Sequence, residues 1–295
     1  MPKKKKTSSK HKVSSDDGYP TISILTPIYN RNMWLPLMIQ NIKTFDYDKT
    51  KMEWNILDSK DGEENIKLFE TVDELNKVKL AISPIRLNYT YLPRKMTIAE
   101  KRNWLSKNMN YKWFANMDSD DIYFETYLKY SIDMCRESKV QLAGSPQMIF
   151  CHVHHQFQIT AIQCETARQA HEGTFVGTKK YIASMSGYSK NDEKGEGAGI
   201  IDGNEKGIVK TECSFCMVCI SHNNNTCSKD LFLETNIQDT KLQGDKFEIL
   251  KDILQDEIVA GRDDKSKFKG LEKREPGGGP EINKEEEEIK NLLLK

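Results

Sequence analysis

The acidic run Asp118–Asp121 follows directly after an apolar stretch at residues 113–117. Such a stretch predicts a strand, and carboxylates at its end would lie at the rim of a sheet. Hard cations such as Mg²⁺ and Mn²⁺ take carboxylate oxygens and share their coordination with water and substrate phosphates. The run therefore predicts a divalent cation and a phosphate-bearing ligand. An acidic loop that caps the next helix is the structural alternative, since Asp is a good N-cap residue.

Strands and helices are predicted to alternate up to residue 140. Apolar or β-branched runs at 22–27, 54–58, 85–92 and 113–117 predict strands, and each is followed by apolar residues at helical spacing. The third helix, 97–109, begins with Thr97 and Glu100, which is the pattern of a capping box. This alternation indicates a parallel sheet with helices packed on its faces.

Polar residues follow three of the four predicted strands. They are Thr26 to Asn30 on the first, Asp58 on the second and Asp118–Asp121 on the fourth. In open α/β sheets, ligands bind outside the carboxyl ends of the strands. The shared edge favours a binding site over a chance acidic loop.

The second half of the chain has a less regular pattern. Residues 147–162 and 208–222 are predicted to be extended, and residues 172–187 carry glycines and aromatics, so a mixed or antiparallel extension of the sheet is expected. Phe247, Leu250, Leu254 and Ile258 form one stripe of an amphipathic helix that Gly261 would end. The predicted organisation has four parts: a disordered basic tail (1–18), one main domain (19–235), the amphipathic helix (236–262) and a charged flexible tail with a short terminal helix (263–295).

Composition excludes several classes of function. The chain has 44 basic and 44 acidic residues, so its balanced charge argues against an extended nucleic-acid groove. It has no apolar run near the roughly 20 residues that span a bilayer, and its basic start lacks the apolar region of a secretory signal. Seven cysteines at irregular spacing fit a reducing compartment. We expect a soluble, cytoplasmic protein; the lysines at 3–6 form a solvated tail, with a nuclear import signal as the alternative.

Two further clusters invite a metal-site interpretation. The Cys213–Cys219 run with Cys227 has three cysteines three residues apart, but its spacing matches neither a ferredoxin run nor a zinc ribbon, so buried small side chains are predicted. In the His152–His155 cluster, His152 and His154 would share a strand face. A polar patch or acceptor contact is favoured there over zinc.

Taken together, the motifs of the first half resemble the family 2 glycosyltransferases, which have the GT-A fold. This resemblance implies an α/β, Rossmann-like three-layer fold with a mostly parallel central sheet. It is good over roughly residues 20–125 and weakens through about 230. The matching residues are Ser23 to Arg31, Trp54 to Asp58 with Asp61 and Gly62, Lys101 to Asn103, and Met117 to Asp121.

The resemblance implies a role for each matched residue. Asp58 would contact the nucleotide base, Asp118 the ribose or sugar, and Asp120 a Mn²⁺ or Mg²⁺ ion that bridges the diphosphate. His222, at the start of a His-x-x-Asn-Thr-like segment, would be a second metal ligand. The other donor-binding candidates are Thr26, Pro27, Tyr29, Asn30, Arg31, Arg94, Lys101, Arg102 and Ser119.

The general base is the point at which the sequence departs from the family. Gly195 and Glu196 stand where the family carries Gly-Glu-Asp, but Gly197 replaces the expected aspartate. Glu196 is the first candidate for the base, with Glu193 and Asp192 as alternatives.

The implied activity is metal-dependent transfer of a sugar, with inversion, from a nucleoside diphosphate sugar to a hydroxyl of a glycan, lipid or protein. UDP is the default nucleotide. The alternative is a noncatalytic nucleotide-sugar-binding or scaffold protein with the same fold. A nucleotidylyltransferase would need a glycine-rich loop after the first strand, and Asn30 to Met33 has none. A processive synthase would carry membrane spans and a Gln-x-x-Arg-Trp motif, which the sequence lacks.

Overall fold

The structure is a computed structural model that describes residues 18–59, 67–189, 195–225, 229–255 and 258. Several features predicted from the sequence lie outside these residues. They are most of the basic tail, the Asp61-Gly62 turn, the alternative bases Asp192 and Glu193, Thr226, Cys227, Gly261 and the charged tail at 263–295.

The strands are β1 (Ile22–Ile28), β2 (Met52–Ser59), β3 (Arg86–Leu92), β4 (Trp113–Asn116), β5 (Ile122–Tyr123), β6 (Leu142–Gly144), β7 (Gln147–His152), β8 (Gln158–Gln163), β9 (Val176–Thr178), β10 (Ile208–Lys210), β11 (Met217–Ser221) and β12 (Ile237–Gln238). The helices are α1 (Leu35–Thr44), α2 (Val72–Ala81), α3 (Ile98–Asn108), α4 (Tyr127–Ser138), α5 (Lys179–Ser184), α6 (Ala198–Ile201) and α7 (Asp245–Ile253). Short 3₁₀ turns join several of these elements.

The central sheet has the strand order β10-β6-β9-β4-β1-β2-β3 among the described residues. Its strands β4, β1, β2 and β3 run parallel, as the alternation of strands and helices predicts. Between β4 and β6 lies β9, antiparallel to both. In this register Ile28 pairs with Asp58 and Leu25 with Asn116, so the ends of β1, β2 and β4 meet at one edge.

The layers follow from the alternation of side chains along β1. Ile24 belongs to the core cluster that contains Trp34 and Leu37 at the start of α1. Its neighbour Leu25 belongs to the opposite cluster, with Leu105 of α3. All seven residues of β1 are buried, so both faces of the strand are covered, and its sequence is mostly apolar apart from Ser23 and Thr26. The α/β fold with a mostly parallel central sheet and a mixed extension is therefore confirmed.

A second sheet, of order β12-β8-β7-β11-β5 in the described part of the chain, forms the extension. Here β11 runs parallel to β7 and antiparallel to β5. Because β12 pairs with β8, the chain beyond residue 235 contributes to this sheet. Farther along, Leu250 and Leu254 belong to the main hydrophobic core. Helix α7 packs against α1.

Three local predictions differ from the structure. The single strand expected at 208–222 is two strands, β10 and β11, separated by a 3₁₀ turn at Cys213–Phe215. The extended segment 147–162 is a hairpin, in which Gln156 and Phe157 turn the chain at positive φ. The apolar spacing from Leu68 to Val78 predicts the second helix, but α2 begins only at Val72, where Thr71 and Glu74 form a capping box. In the first two cases a buried apolar pattern does not distinguish a strand from a buried turn.

The capping box predicted at Thr97 is confirmed. Thr97 Oγ1 accepts from the Glu100 N–H, and the Thr97 N–H donates to the Glu100 carboxylate at 2.8 Å. This cap fixes the start of α3, which carries Lys101 and Arg102 one turn later. Among the described residues, none of the helices has the length and apolar character needed to cross a bilayer.

A buried carboxylate ties the opposite ends of the strands together. Glu53 on β2 is fully buried and accepts hydrogen bonds from Ser23 Oγ at 2.6 Å, the Asn110 backbone N–H at 2.9 Å and Asn110 Nδ2 at 2.7 Å. Asn55 and Asn88 donate to it as well. Burial would raise the pKa of Glu53, but the hydrogen bonds from Ser23, Asn110 and Asn55 outweigh it, and the pKa lies below the ordinary value of 4.5.

We expect Glu53→Gln to destabilise the fold by about 2–3 kcal/mol, because the amide places a donor where the carboxylate accepts. The stabilisation from Glu53 is present in full above pH 4.5, its unfolded pKa, and is lost as the pH falls through the lower folded pKa. Urea unfolding at pH 7 and at pH 3 measures both effects. The matched control Glu137→Gln, on the exposed side of α4, should change stability by less than about 0.5 kcal/mol. Equal stability of the two variants at pH 7 would contradict this role of Glu53.

Candidate functional site

A cleft of about 820 Å³ opens at the carboxyl ends of β1 and β4. Its walls come from the end of β1, the start of α3, the acidic run Asp118–Asp121, the turn at 171–172, residues 195–196 and β11 with the loop after it. The cleft thus lies where the parallel register brings the strand ends together. Eight of the predicted site residues of the first half line it: Pro27, Tyr29, Arg31, Lys101, Arg102, Asp118, Ser119 and Asp120.

The acidic run is held in place by hydrogen bonds from α1 and β5. Asn41 Nδ2 donates to the Asp121 carbonyl at 2.8 Å, and Asn41 Oδ1 accepts from the Tyr123 N–H. The Tyr123 hydroxyl accepts from the Asp118 N–H at 2.8 Å and donates to the Gly173 carbonyl. A Cβ at Gly173 would lie 2.9 Å from Asp118 Oδ2, so a side chain at this position would displace the carboxylate. The backbone therefore fixes the direction of the carboxylates before any ligand binds.

Arg102 bridges two carboxylates inside the cleft. Its Nη2 donates to Asp118 Oδ1 at 2.8 Å and its Nε to Glu196 Oε1 at 2.9 Å. The side chain is only 2% exposed. Burial would lower the pKa of Arg102, but the charges of Asp118 and Glu196 outweigh it and hold the pKa well above its ordinary value. Arg102 is thus a fixed cation that orients both carboxylates.

Asp120 lines the cleft and meets His222, whose fully buried side chain lies behind it and is not part of the lining. Asp120 Oδ2 lies 3.1 Å from His222 Nε2 and 3.3 Å from Arg31 Nε. Burial would raise the pKa of Asp120, but the hydrogen bond and charge of His222 and the charge of Arg31 outweigh it and lower the pKa. His222 Nδ1 accepts from the Asn224 N–H at 3.2 Å, so the proton on Nε2 points at Asp120.

The third carboxylate of the run has a structural contact. Asp121 Oδ1 accepts from the Ile220 N–H at 2.9 Å and so joins the acidic run to β11. Burial, with the charges of Asp120 and Asp118, raises the pKa of Asp121 well above its ordinary value. The run therefore presents Asp118 and Asp120 to the cleft, while Asp121 holds the strand beside them.

The lysine of α3 lies against the end of β1. Lys101 Nζ donates to the Ile28 carbonyl at 2.9 Å and lies 5.3 Å from the centre of the Tyr29 ring. This contact orients Tyr29 along the wall of the cleft.

Four predicted donor-binding residues lie outside the lining formed by the described residues. Thr26 is fully buried and accepts from the Trp54 indole N–H at 2.9 Å. Asn30 is exposed at a positive φ of 52°. The Arg94 side chain is 60% exposed and lies 3.9 Å from Glu100. Asp58 is the fourth.

Asp58 is buried at the end of β2 and already has two hydrogen bonds. Its Oδ2 accepts from the Leu68 N–H at 2.9 Å and the Tyr89 hydroxyl at 2.7 Å. The Asp58 carboxylate therefore fixes the segment before α2 to the edge of the sheet.

Three residues that the sequence analysis did not single out also line the cleft: His171, Glu172 and Lys229. Burial lowers the pKa of His171 to about 4, so its imidazole is neutral at pH 7. Burial and the charge of Glu196 raise the pKa of Glu172 to about 7. No local pattern marks His171 and Glu172, because β9, which follows the 171–174 turn, is brought beside the cleft only by its pairing with β4.

The two other clusters do not form a metal centre in the described residues. No group of three or more His, Cys, Asp and Glu side chains with metal-binding geometry occurs there. Cys213, Cys216 and Cys219 are buried, as predicted, and burial raises the pKa of Cys213 to about 11. His152 is buried, and its Nε2 lies 2.8 Å from Thr160 Oγ1.

Comparison with known proteins gives a result for the fold only. Neither a protein-family model nor a curated protein matches the chain. Among solved structures, it is similar to S. aureus TarS 1-349 in complex with UDP-GlcNAc, with a TM-score of 0.52 and 13% identity over 85% of this chain and 76% of that one.

Two further similar structures have a TM-score of 0.48. They are a second structure of TarS 1-349, at 12% identity, and the mannosyltransferase PcManGT from Pyrobaculum calidifontis in complex with GDP-Man and Mn²⁺, at 13%. Each likeness covers 68% of this chain, which spans 60% of the first and 56% of the second. The chain has a GT-A-like glycosyltransferase fold, with its cleft at the carboxyl edge of the parallel strands.

Proposed function

We propose that the protein is a metal-dependent inverting glycosyltransferase that moves a sugar from a nucleoside diphosphate sugar to an acceptor hydroxyl. The observation that supports this most is the contact between Asp120, which lines the cleft, and His222, which lies 102 positions away in the chain. Next to them, Arg102 holds Asp118 in a fixed orientation. A cleft with this pair and several cations suits a ligand that carries both a diphosphate and a sugar.

Asp120 and His222 would hold the cation. One carboxylate oxygen and one imidazole nitrogen, 3.1 Å apart, are a donor set that suits Mn²⁺ and, less well, Mg²⁺. Water and substrate phosphates ordinarily complete the shell of such ions. A bound ion would stabilise the negative charge that develops on the leaving diphosphate. Coordination through Nε2 requires the ring proton on Nδ1, so His222 would give up its hydrogen bond from Asn224.

The cations and aromatic groups of the cleft would bind the rest of the donor. Arg31 and Lys101 line the cleft and would contact the diphosphate. Asp118, oriented by Arg102, would accept hydrogen bonds from sugar or ribose hydroxyls. Asp58 is proposed as the contact to the nucleotide base, for which UDP is the first choice. Asp58 Oδ2 already has two partners, so that contact would use Oδ1.

Inversion follows from a single displacement in which the acceptor oxygen attacks the anomeric carbon from the face opposite the diphosphate. The carboxylates at 172 and 196 line the cleft beside Asp118 and Arg102. A carboxylate within hydrogen-bond reach of the acceptor hydroxyl would take its proton.

A thermal-shift screen tests donor binding. We expect UDP-GlcNAc, another UDP-sugar or GDP-mannose to raise the melting temperature when MnCl₂ is present, because a ligand of the native state stabilises it. Release of the nucleoside diphosphate should accompany binding. Binding of a donor without turnover of any donor would instead support the noncatalytic alternative. No stabilisation by any nucleotide sugar, with Mn²⁺ or Mg²⁺, would contradict the proposal.

A further inference from the structure

We propose that Glu172 is the general base of the transfer, and that Glu196 is a positioning residue that holds Arg102. This inference rests on the proposed function. It replaces the first candidate that the sequence suggested for the base, and it concerns a residue that no sequence motif marks.

Glu196 is tied to a buried cation. Its Oε1 accepts from Arg102 Nε at 2.9 Å, and the two side chains are 6% and 2% exposed. Arg102 also carries the ion pair with Asp118, so a proton on Glu196 would leave Arg102 with one counter-ion where it had two. The contact makes Glu196 an orienting group for Arg102 and, through it, for Asp118.

Glu172 lines the same end of the cleft but has a different environment. Its Oε1 accepts from the Gly197 N–H at 2.9 Å, and no ion pair reaches it within the described part of the chain. The charged and titratable groups that face it are Glu196, Arg102 and Tyr188. Burial and the charge of Glu196 place the pKa of Glu172 at about 7. A carboxylate with that pKa accepts a proton readily near neutral pH, which is what a general base requires.

The space at Gly197 gives an independent argument. A Cβ built on Gly197 would lie 2.6 Å from Glu172 Cγ and 2.9 Å from Glu172 Oε1. The Glu172 carboxyl group therefore fills the volume that a side chain at 197 would take. The backbone of Gly197 has a φ of −68°, which any residue can adopt. Gly197 is thus explained by the close approach of Glu172, and the acidic group comes from the 171–174 turn.

The step balances as a single displacement. The acceptor hydroxyl gives its proton to the Glu172 carboxylate as its oxygen bonds to the anomeric carbon. The bond between that carbon and the diphosphate oxygen breaks, and its electron pair leaves on the nucleoside diphosphate. Glu172, now neutral, returns its proton to water.

The test compares full-length wild type with Glu172→Gln, using the donor found in the thermal-shift screen, with MnCl₂. Water is the acceptor, and release of nucleoside diphosphate is measured. We expect the turnover of Glu172→Gln to fall by about 10²-fold or more, the usual effect of losing a general base. The thermal shift from the donor should be unchanged. The wild-type rate should rise with pH through about 7, and the variant should lose this rise.

Sodium azide separates a base from a structural residue. Azide attacks without losing a proton, so it should restore donor turnover in Glu172→Gln and give a glycosyl azide detectable by mass spectrometry. The matched variant Glu196→Gln should instead raise KM or weaken the donor-induced thermal shift, because Arg102 loses one of its two counter-ions. Azide should not rescue this variant.

A carboxylate swap gives a second measurement. In Glu172→Ala with Gly197→Asp, the space left at 172 admits the new side chain, apart from the Phe175 ring edge, which lies 2.9 Å from the Cβ position and must shift slightly. The double variant should regain at least tenfold over Glu172→Ala alone. A wild type that neither binds nor turns over any donor refutes the proposed function. A wild type that turns over, with Glu172→Gln equally active or unresponsive to azide, refutes only the role of Glu172.

Discussion

Asp120→Ala is expected to lower the turnover of the nucleotide-sugar donor by about 10³-fold, because the leaving diphosphate loses its main electrostatic stabilisation. The Mn²⁺-dependent part of the donor-induced thermal shift should disappear with it. The fold should tolerate the change. Asp120 loses its contacts with His222 and Arg31, but its removal relieves a repulsion: burial, followed by the charges of Asp120 and Asp118, raises the pKa of Asp121. Turnover assays and melting curves with and without MnCl₂ measure the two effects.

Asp46→Ala is the matched control for this change. Asp46 is 67% exposed and pairs with Lys129 at 3.0 Å, so its removal takes away one surface ion pair and nothing in the cleft. We expect its turnover and its response to Mn²⁺ to equal those of wild type. If Asp120→Ala keeps wild-type turnover and the full Mn²⁺ response, Asp120 is not the metal ligand.

The parts of the site that are predictable from the sequence are those fixed by the parallel strands. A strand that is followed by Asp118 must place this residue at the carboxyl edge of the sheet. Parallel pairing of β4 with β1 then brings Asp118 to the same edge as the end of β1. His222 is predictable only through the family-like segment that contains it. The structure brings it to Asp120 because Asp121 binds the Ile220 N–H and so holds β11 beside the acidic run.

The parts that could not be predicted depend on pairings between distant segments. Glu172 reaches the cleft because β9 inserts between β4 and β6, and nothing in the residues around it specifies that partner. Thr26 lies at a polar strand end, as predicted, but its side chain points toward the Trp54 indole and away from the cleft. Strand position fixes the edge at which a residue lies, whereas its face and its partners depend on long-range packing.

Arg102→Met is expected to destabilise the protein by about 3–5 kcal/mol at pH 7, the usual result of leaving a buried charge without its partner. The guanidinium is 2% exposed and neutralises Asp118 and Glu196, which would then face each other across an apolar side chain. Urea unfolding at pH 7 measures the loss.

Arg168→Met is the matched control, because it removes the same functional group from an ion pair of similar length. Arg168 Nε lies 2.7 Å from Asp202 Oδ1, but the two side chains are 61% and 47% exposed, so its loss should cost less than about 1 kcal/mol. Adding Glu196→Gln to Arg102→Met should recover part of the stability, since one stranded charge is removed. A cost for Arg102→Met as small as that of the control, or no recovery in the double variant, would show that the guanidinium does not neutralise the two carboxylates in the folded protein. The orientation of Asp118 by Arg102, on which the proposed contact with the sugar depends, would then have to be abandoned.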